Sequence, residues 1–199
     1  MKDYTASTIE YYNINHEQYF NRTSNIDMHS SYTRFLELLP KAAHILDAGC
    51  GIGRDSEFFV KAGYQVTAID ASIEMVRYAQ KKVSVVVMHQ EFSKMTFNEE
   101  FDGIWTCASL LHIARDDMQE IFNLFIAALK PNGIWFISFK YGEDQTIEHG
   151  RLFSRFTTNN FGEFIKRFPE LKVLQMWQSH SNIQHIHNDW LQVIVKKEI

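Results

Sequence analysis

The chain is short of the residues that brace a fold covalently or through a metal. Its 199 residues include two cysteines, Cys50 and Cys107, and three prolines. Two thiols do not make a disulfide framework and no Cys/His spacing matches a zinc site, so no metal is expected. A reduced, cytoplasmic protein is the expectation that goes with such cysteine usage. No apolar run approaches the length of a membrane span. The opening stretch "MKDYTASTIE" has no apolar core of the kind a signal peptide carries. Positive charge is not in excess either: the net charge is -4 and the isoelectric point about 6.1. That balance argues against a nucleic-acid backbone as the main partner, because phosphate contacts need a basic face. Repeats and low-complexity tracts are absent.

Apolar residues make up 45% of the chain, enough for a full core, and the length suits one domain spanning 1–199. Residues 1–39 are polar and aromatic, and "IEYYNINHEQYF" and "SSYTRFLELL" both read as helix. A strand–helix alternation then begins. Strands are expected at 44–49, 65–70, 84–90, 101–108 and 134–140, and helices at 54–62, 72–82 and 115–130. Ser72 is the expected cap of the second of these helices, and "PNG" at 131–133 reads as a turn. A helix at 157–168 precedes two strands, 172–179 and 190–197. Residues 141–151 read as a mobile loop. The alternation implies a parallel sheet covered on both faces. The last two strands have no helix between them, so they should form a hairpin that adds an antiparallel strand.

In such sheets ligands bind beyond the carboxyl ends of the strands. There the chain reads "LDAGCGIGRDS", with Gly49, Gly51 and Gly53 at alternate positions. Glycine admits positive φ and lets backbone approach a ligand, and the helix that follows points free N–H groups into the same space. A tight strand–helix connection is the plainer account of such a turn. Two more features favour a nucleoside. Asp70 ends the second strand, where a carboxylate can accept both hydroxyls of a ribose; its alternative role is to cap the next helix. Glu91 and Phe92 follow the third strand and suit the edge and face of an adenine, or else are a loop carboxylate and a core ring. A dinucleotide site wants G-x-G-x-x-G, but the position of the third glycine holds Arg54. Asp47 before the loop suits a cationic ligand better than a diphosphate. S-adenosylmethionine carries a sulfonium and an ammonium and has no phosphate.

The segments "LDAGCGIGRDSEFF", "AIDASIEMV", "EF", "FDGIWTCASLLHI" and "LKPNGIWFISFKYG", in this order, resemble the class I S-adenosylmethionine-dependent methyltransferases over residues 43–140. "GCGIGRDS", "CASLLHI" and "SFKYG" are similar to a subgroup of small bacterial tellurite-resistance-like enzymes. The resemblance implies an α/β fold: a seven-stranded, Rossmann-like, doubly wound sheet of order 3-2-1-4-5-7-6 with strand 7 antiparallel. It implies a helical cap over 1–40 on a core of 41–199. It further implies that Asp47, Gly49, Gly51 and Gly53 hold the methionine part of S-adenosyl-L-methionine, and of its product S-adenosyl-L-homocysteine. Asp70 would hold the ribose, Ala71 and Met75 would flank the adenine, and Glu91 and Phe92 would lie at its other edge. Ser109, Leu110 and His112 would follow strand 4 near the methyl group. Tyr19, Arg22 and Thr23 are the cap candidates, and Arg22 or Arg54 could pair with the donor carboxylate.

Methyl transfer needs mainly alignment and exclusion of water. His112 is the best-placed base should the acceptor lose a proton, and a packing residue otherwise. Arg54 at a helix start works against the dipole, so Asp55 or a ligand carboxylate is its expected partner. Tyr141, Glu143 and Arg151 flank the loop that would face the acceptor; a solvated loop is the alternative. His180, His185 and His187 read as a hairpin loop, and Trp105 and Trp135 as core. The expected activity is methylation of a small-molecule acceptor. A non-catalytic donor-binding module and a nicotinamide oxidoreductase are the rivals, Arg54 and Asp47 speaking against the second. RNA methylation at an exocyclic amine would want an N/D-P-P-Y/F tetrad where the chain has "CASL".

Overall fold

Short apolar runs form the strands β1 (His44–Ala48), β2 (Gln65–Asp70), β3 (Val86–His89), β4 (Phe101–Thr106) and β5 (Leu129–Lys140). Strands β6 (Gln145–Glu148), β7 (Arg151–Ser154), β8 (Leu171–Ile183) and β9 (Ile186–Lys197) follow. The helices are α1 (Tyr4–Thr23), α2 (His29–Leu36), α3 (Arg54–Lys61), α4 (Ile73–Lys82), α5 (Met118–Ala128) and α6 (Thr158–Ile165). The computed structural model describes residues 4–183 and 186–198, with 181–183 and 186–188 described by backbone alone.

One seven-stranded sheet runs β3-β2-β1-β4-β5-β9-β8. β1 to β5 pair in parallel, and β9 is antiparallel to both of its neighbours. With the β6–β7 hairpin set aside as its own two-stranded sheet, this is the order expected from the sequence.

Strand periodicity decides what each face covers. In β1, Ile45 joins the cluster of Phe35, Phe59, Trp105 and Phe136 beneath α2 and α3. Leu46 and Ala48 turn to the other face, with Phe122, Phe125 and Trp135, beneath α5 and α6. α4 packs Val76 and Ala79 on Ala68 and Val87. Trp105 and Trp135 are fully buried, as expected for central strands.

Local chemistry fixes the helix ends. The Ser72 hydroxyl accepts from the Met75 amide, so the expected cap is present. α6 starts on a capping box, with Thr157 and Asn160 each bonding the other's backbone. The turn expected at 131–133 is a bulge inside β5: pairing jumps from Phe101–Leu129 to Gly103–Ile134, and Asn132 takes φ +64°.

The segment 141–151 differs from the expected mobile loop. β6 and β7 pair from Gln145–Ser154 to Glu148–Arg151. The two residues between them, His149 and Gly150, both have positive φ, 51° and 81°. A two-residue turn of that hand matches the twist of a hairpin. Of the N-terminal segment, α2 packs into the core through Tyr32 and Phe35, while α1 crosses the carboxyl edge of the sheet from α4 to β7. His185 and the side chain of His187 lie outside the described residues.

Candidate functional site

The loop after β1 turns through three left-handed glycines, Gly49 at φ +79°, Gly51 at +53° and Gly53 at +78°. A Cβ on Gly49 would lie 2.3 Å from Cβ of Ser109. The Ser109 hydroxyl meanwhile donates to the Ala48 carbonyl at 2.7 Å, which ties the β4 exit to the β1 exit. Gly53 is close to Ala79 and Val83, so its missing side chain lets the loop sit on α4. The amides of Gly49 and Cys50 both donate to the Ile69 carbonyl.

Asp70 completes this loop. One carboxylate oxygen accepts from the Gly51 amide and the other from the Ser72 amide, each at 2.8 Å. Burial raises its pKa, against those amide bonds, which favour the charged form. The carboxylate therefore ties the glycine loop to the residue that caps α4, Ser72, with its remaining lone pairs available to a ligand.

α1 roofs the loop. The Tyr19 ring sits 3.6 Å from where a Gly51 Cβ would be. Asn13 accepts from the Ser72 hydroxyl at 2.8 Å, and Thr8 accepts from the Leu152 amide at 3.3 Å. The helix kinks at Asn15.

Two cavities lie beneath it. The first, about 340 Å³, is bounded by the glycine loop and the ends of β2, β3 and β4. Of the residues expected around a donor, Tyr19, Gly49, Gly51, Asp70, Ala71 and Met75 line it, as do Glu91, Phe92, Ser109 and His112. The second, about 710 Å³, lies between α1, the β6–β7 hairpin and the β8–β9 pair. Arg22, Arg54 and Arg151 line this second cavity, together with Tyr19 and His112. Asp47, Gly53, Leu110 and Tyr141 line neither. The cavities share Tyr12, Tyr19, Ala108 and His112.

Each expected residue outside the cavities has other partners. Asp47 is buried and accepts from the Ser56 hydroxyl at 2.5 Å. Burial, and then the charge of Asp55, hold its carboxyl well above the usual range. Leu110 is core, and Tyr141 forms a bridge with Phe156.

Arg54 takes the partner expected for it, Asp55, with two bonds of 2.6 and 3.0 Å. Asp55 also accepts from the Tyr32 hydroxyl at 2.5 Å and from the Trp105 indole at 2.8 Å. Burial alone would raise the Asp55 pKa, but Arg54 and these donors outweigh it and lower it.

His112 is engaged at both nitrogens. Nδ1 faces the Leu152 carbonyl at 2.6 Å, and Nε2 faces the Tyr12 hydroxyl at 2.8 Å. A carbonyl only accepts, so Nδ1 carries the proton and Nε2 accepts from Tyr12. Burial, reinforced by the charges of Arg151 and Lys140, pushes the His112 pKa down to about 3. The ring is neutral at pH 7, and its one lone pair is occupied by Tyr12, which weakens it as a base.

Tyr12 is the wall residue that sequence reading misses. The signal exists: Thr5, Thr8, Ile9, Tyr12 and Tyr19 recur at helical spacing, and all five line the first cavity. Trp177 and Trp190 line the second, where the sequence leaves their direction open.

Residues 45–133 match a family model described as a methyltransferase domain. YqeM of Bacillus subtilis is 34% identical over 114 residues, covering 53% of this chain and 46% of the relative. The ubiquinone biosynthesis O-methyltransferase of Histophilus somni is 37% identical over 105 residues, 47% of this chain and 43% of that protein. The chain thus spans less than half the length of these curated relatives. Among solved structures, the Burkholderia thailandensis 1,6-didemethyltoxoflavin-N1-methyltransferase shares the fold with a TM-score of 0.78 at 21% identity. That likeness covers 99% of this chain and 90% of the other, which holds 1,6-didemethyltoxoflavin and S-adenosylhomocysteine. Among the described residues, no three His, Cys, Asp or Glu side chains cluster as a metal site and no helix is long and apolar enough to cross a membrane.

Proposed function

We propose that the chain is a methyltransferase that takes S-adenosylmethionine in the first cavity and a small-molecule acceptor in the second. The observation that carries this reading is the shared wall. The two cavities share Tyr12, Tyr19, Ala108 and His112 among the residues that line them, so they lie side by side, and in-line transfer needs two reactants in adjoining sites.

The first cavity suits this donor on three counts. Its volume of about 340 Å³ lies in the range of small-ligand sites. Gly49 and Gly51 line it with bare backbone, Gly49 packed close on Ser109 and Gly51 beneath the Tyr19 ring. A half-buried carboxylate, Asp70, stands where a ribose would present two hydroxyls. Ala71, Met75, Glu91 and Phe92 would enclose the adenine, and Tyr19 and Ser109 the methionine arm. Asp47 and Gly53 would act through the shape of the loop. Arg54 is committed to Asp55, and Arg22, which has no acid partner among the described residues, lines the second cavity and not the first, so neither arginine stands against a donor carboxylate held in the first. When bound, the donor supplies a methyl carbon activated by its sulfonium. The chain's own residues align the two molecules and keep water out.

The relatives' names are consistent with this reading: one is an O-methyltransferase and another an N-methyltransferase holding its small-molecule substrate and S-adenosylhomocysteine. Calorimetric titration with S-adenosylmethionine and S-adenosylhomocysteine tests it. Saturable binding of both is expected; absence of heat for either at millimolar ligand would overturn it.

A further inference from the structure

The second cavity is lined by five basic side chains and two acidic ones. Arg151, on β7, is a buried one without an acid partner among the described residues, its side chain hydrogen-bonded to Tyr12. It is 9% exposed, and its Nε is buried with no hydrogen-bond partner. Its guanidinium lies 4.0 Å over the ring of Tyr11 and 4.9 Å over that of Phe153. Among the described residues no carboxylate pairs with it. Glu148, the acid of the hairpin, is taken by Arg155 and lies 3.6 Å from Lys140. Asp144 also faces Arg155. Lys140 is the next cation in the cavity, with its ammonium 4.0 Å over Phe153. Burial lowers its pKa, and the charges of Arg155 and Arg151 add to that, against Glu148. Arg151 has no acid, and the one acid beside Lys140 is shared with Arg155, so buried positive charge is left in part unmet, which is costly unless an anion arrives.

The same cavity is walled by rings. Tyr12 and Tyr19 stand on the donor side, and Trp177 and Trp190 on the β8–β9 side. A volume of about 710 Å³ accommodates a ring system with its substituents.

We propose that the acceptor is a small aromatic acid, its acid group bound by Arg151 and Lys140 and its ring held between the aromatic walls. This rests on the donor and acceptor assignment above. It makes Arg151 the residue that sets acceptor specificity. A planar guanidinium suits a carboxylate better than an ammonium does, and a site with buried unpaired charge rejects a neutral isostere strongly. The competing role for Arg151 is mechanical: stacked on Tyr11 and Tyr12 it could simply clamp α1 to the hairpin. A clamp would affect stability but would not discriminate a carboxylate from an amide.

The test measures binding of 2-naphthoate and 2-naphthamide to the full chain saturated with S-adenosylhomocysteine. The acid is expected to bind about tenfold or more tightly than the amide, and Arg151→Gln to cut that preference to about threefold or less. Because Arg151 touches Tyr12, which also lines the first cavity, far-ultraviolet circular dichroism and the thermal midpoint report whether the variant is folded. Equal affinity for the two probes in the parent chain, no binding of either at millimolar concentration, or a preference that Arg151→Gln leaves intact would each overturn the proposal. Should Arg151→Gln fail to fold, Lys140→Gln gives the same reading, a reduced preference supporting the proposal and an unchanged one overturning it. Failure of the donor assignment itself is seen separately, as absence of S-adenosylhomocysteine binding by the parent chain.

Discussion

The Tyr12 hydroxyl of α1 donates to Nε2 of His112 at 2.8 Å, across 100 residues of sequence. The bond joins the roof of the site to the turn after β4, and it lies in the wall between the two cavities. Tyr12→Phe removes the donor and leaves a half-buried ring nitrogen without this partner. An unsatisfied buried acceptor costs about 1–3 kcal/mol, and urea denaturation should show a loss in that range. A loss within error of zero would mean that water or another donor replaces the hydroxyl.

His112 also makes stability depend on pH in a stated direction. An unfolded histidine titrates near 6.5, while the buried ring is held down to about 3. Between these values the unfolded chain binds a proton that the folded chain does not. Stability is therefore fully present above about pH 6.5 and falls as the pH drops, by about 1.4 kcal/mol per unit at most. Asp47 runs the other way. Its raised folded pKa lets the folded chain keep a proton that the unfolded chain sheds, so its contribution is present at low pH and lost as the pH rises. The difference between the parent and His112→Asn isolates the histidine. That gap should narrow steadily from pH 6.5 to 4.5; a gap that stays constant would contradict the assignment.

Gly49 and Gly63 form a matched pair. Both are left-handed, at φ +79° and +88°. A Cβ at Gly49 meets Ser109 at 2.3 Å, and one at Gly63 meets nothing within 4 Å. Gly63→Ala should cost only backbone strain, about 1–2 kcal/mol. Gly49→Ala adds a steric conflict with a buried side chain and should cost about 1–3 kcal/mol more, with donor binding lost as well. Equal denaturation midpoints for the two variants would contradict this.

Asp70→Asn keeps the size of the side chain and one acceptor oxygen but removes the charge. A charge-assisted hydrogen bond is worth about 1.5–3 kcal/mol, so S-adenosylhomocysteine should bind at least about tenfold more weakly by calorimetry. An unchanged dissociation constant would confine Asp70 to its bonds with Gly51 and Ser72.

The parallel core and the glycine loop were legible because their signals are local: apolar runs, glycine at fixed offsets, and Ser72 ahead of a helical period. The β6–β7 hairpin was not. Its strands are four residues each, too short to show alternation, and His149 contributes the positive φ that a reader looks for in Asn or Gly. Asp47 shows another limit. Its position before the loop is visible in the sequence, but the direction of its side chain is set by the strand's alternation, which turns it toward Ser56 on α3. Tyr12 needed a partner 100 residues away to gain meaning, and no window on α1 contains that partner.

The quartet of Arg54, Asp55, Tyr32 and Trp105 draws together the loop's exit, α2 and β4. Because three separate stretches of chain meet at one carboxylate, the turn at 49–53 cannot loosen without breaking bonds on the far side of the sheet. A visiting nucleoside therefore finds the loop already frozen in shape, its Gly49, Cys50 and Gly51 amides bonded within the chain. Little of the ligand's intrinsic affinity goes into ordering that loop, and the entropy of that ordering was lost when the chain folded.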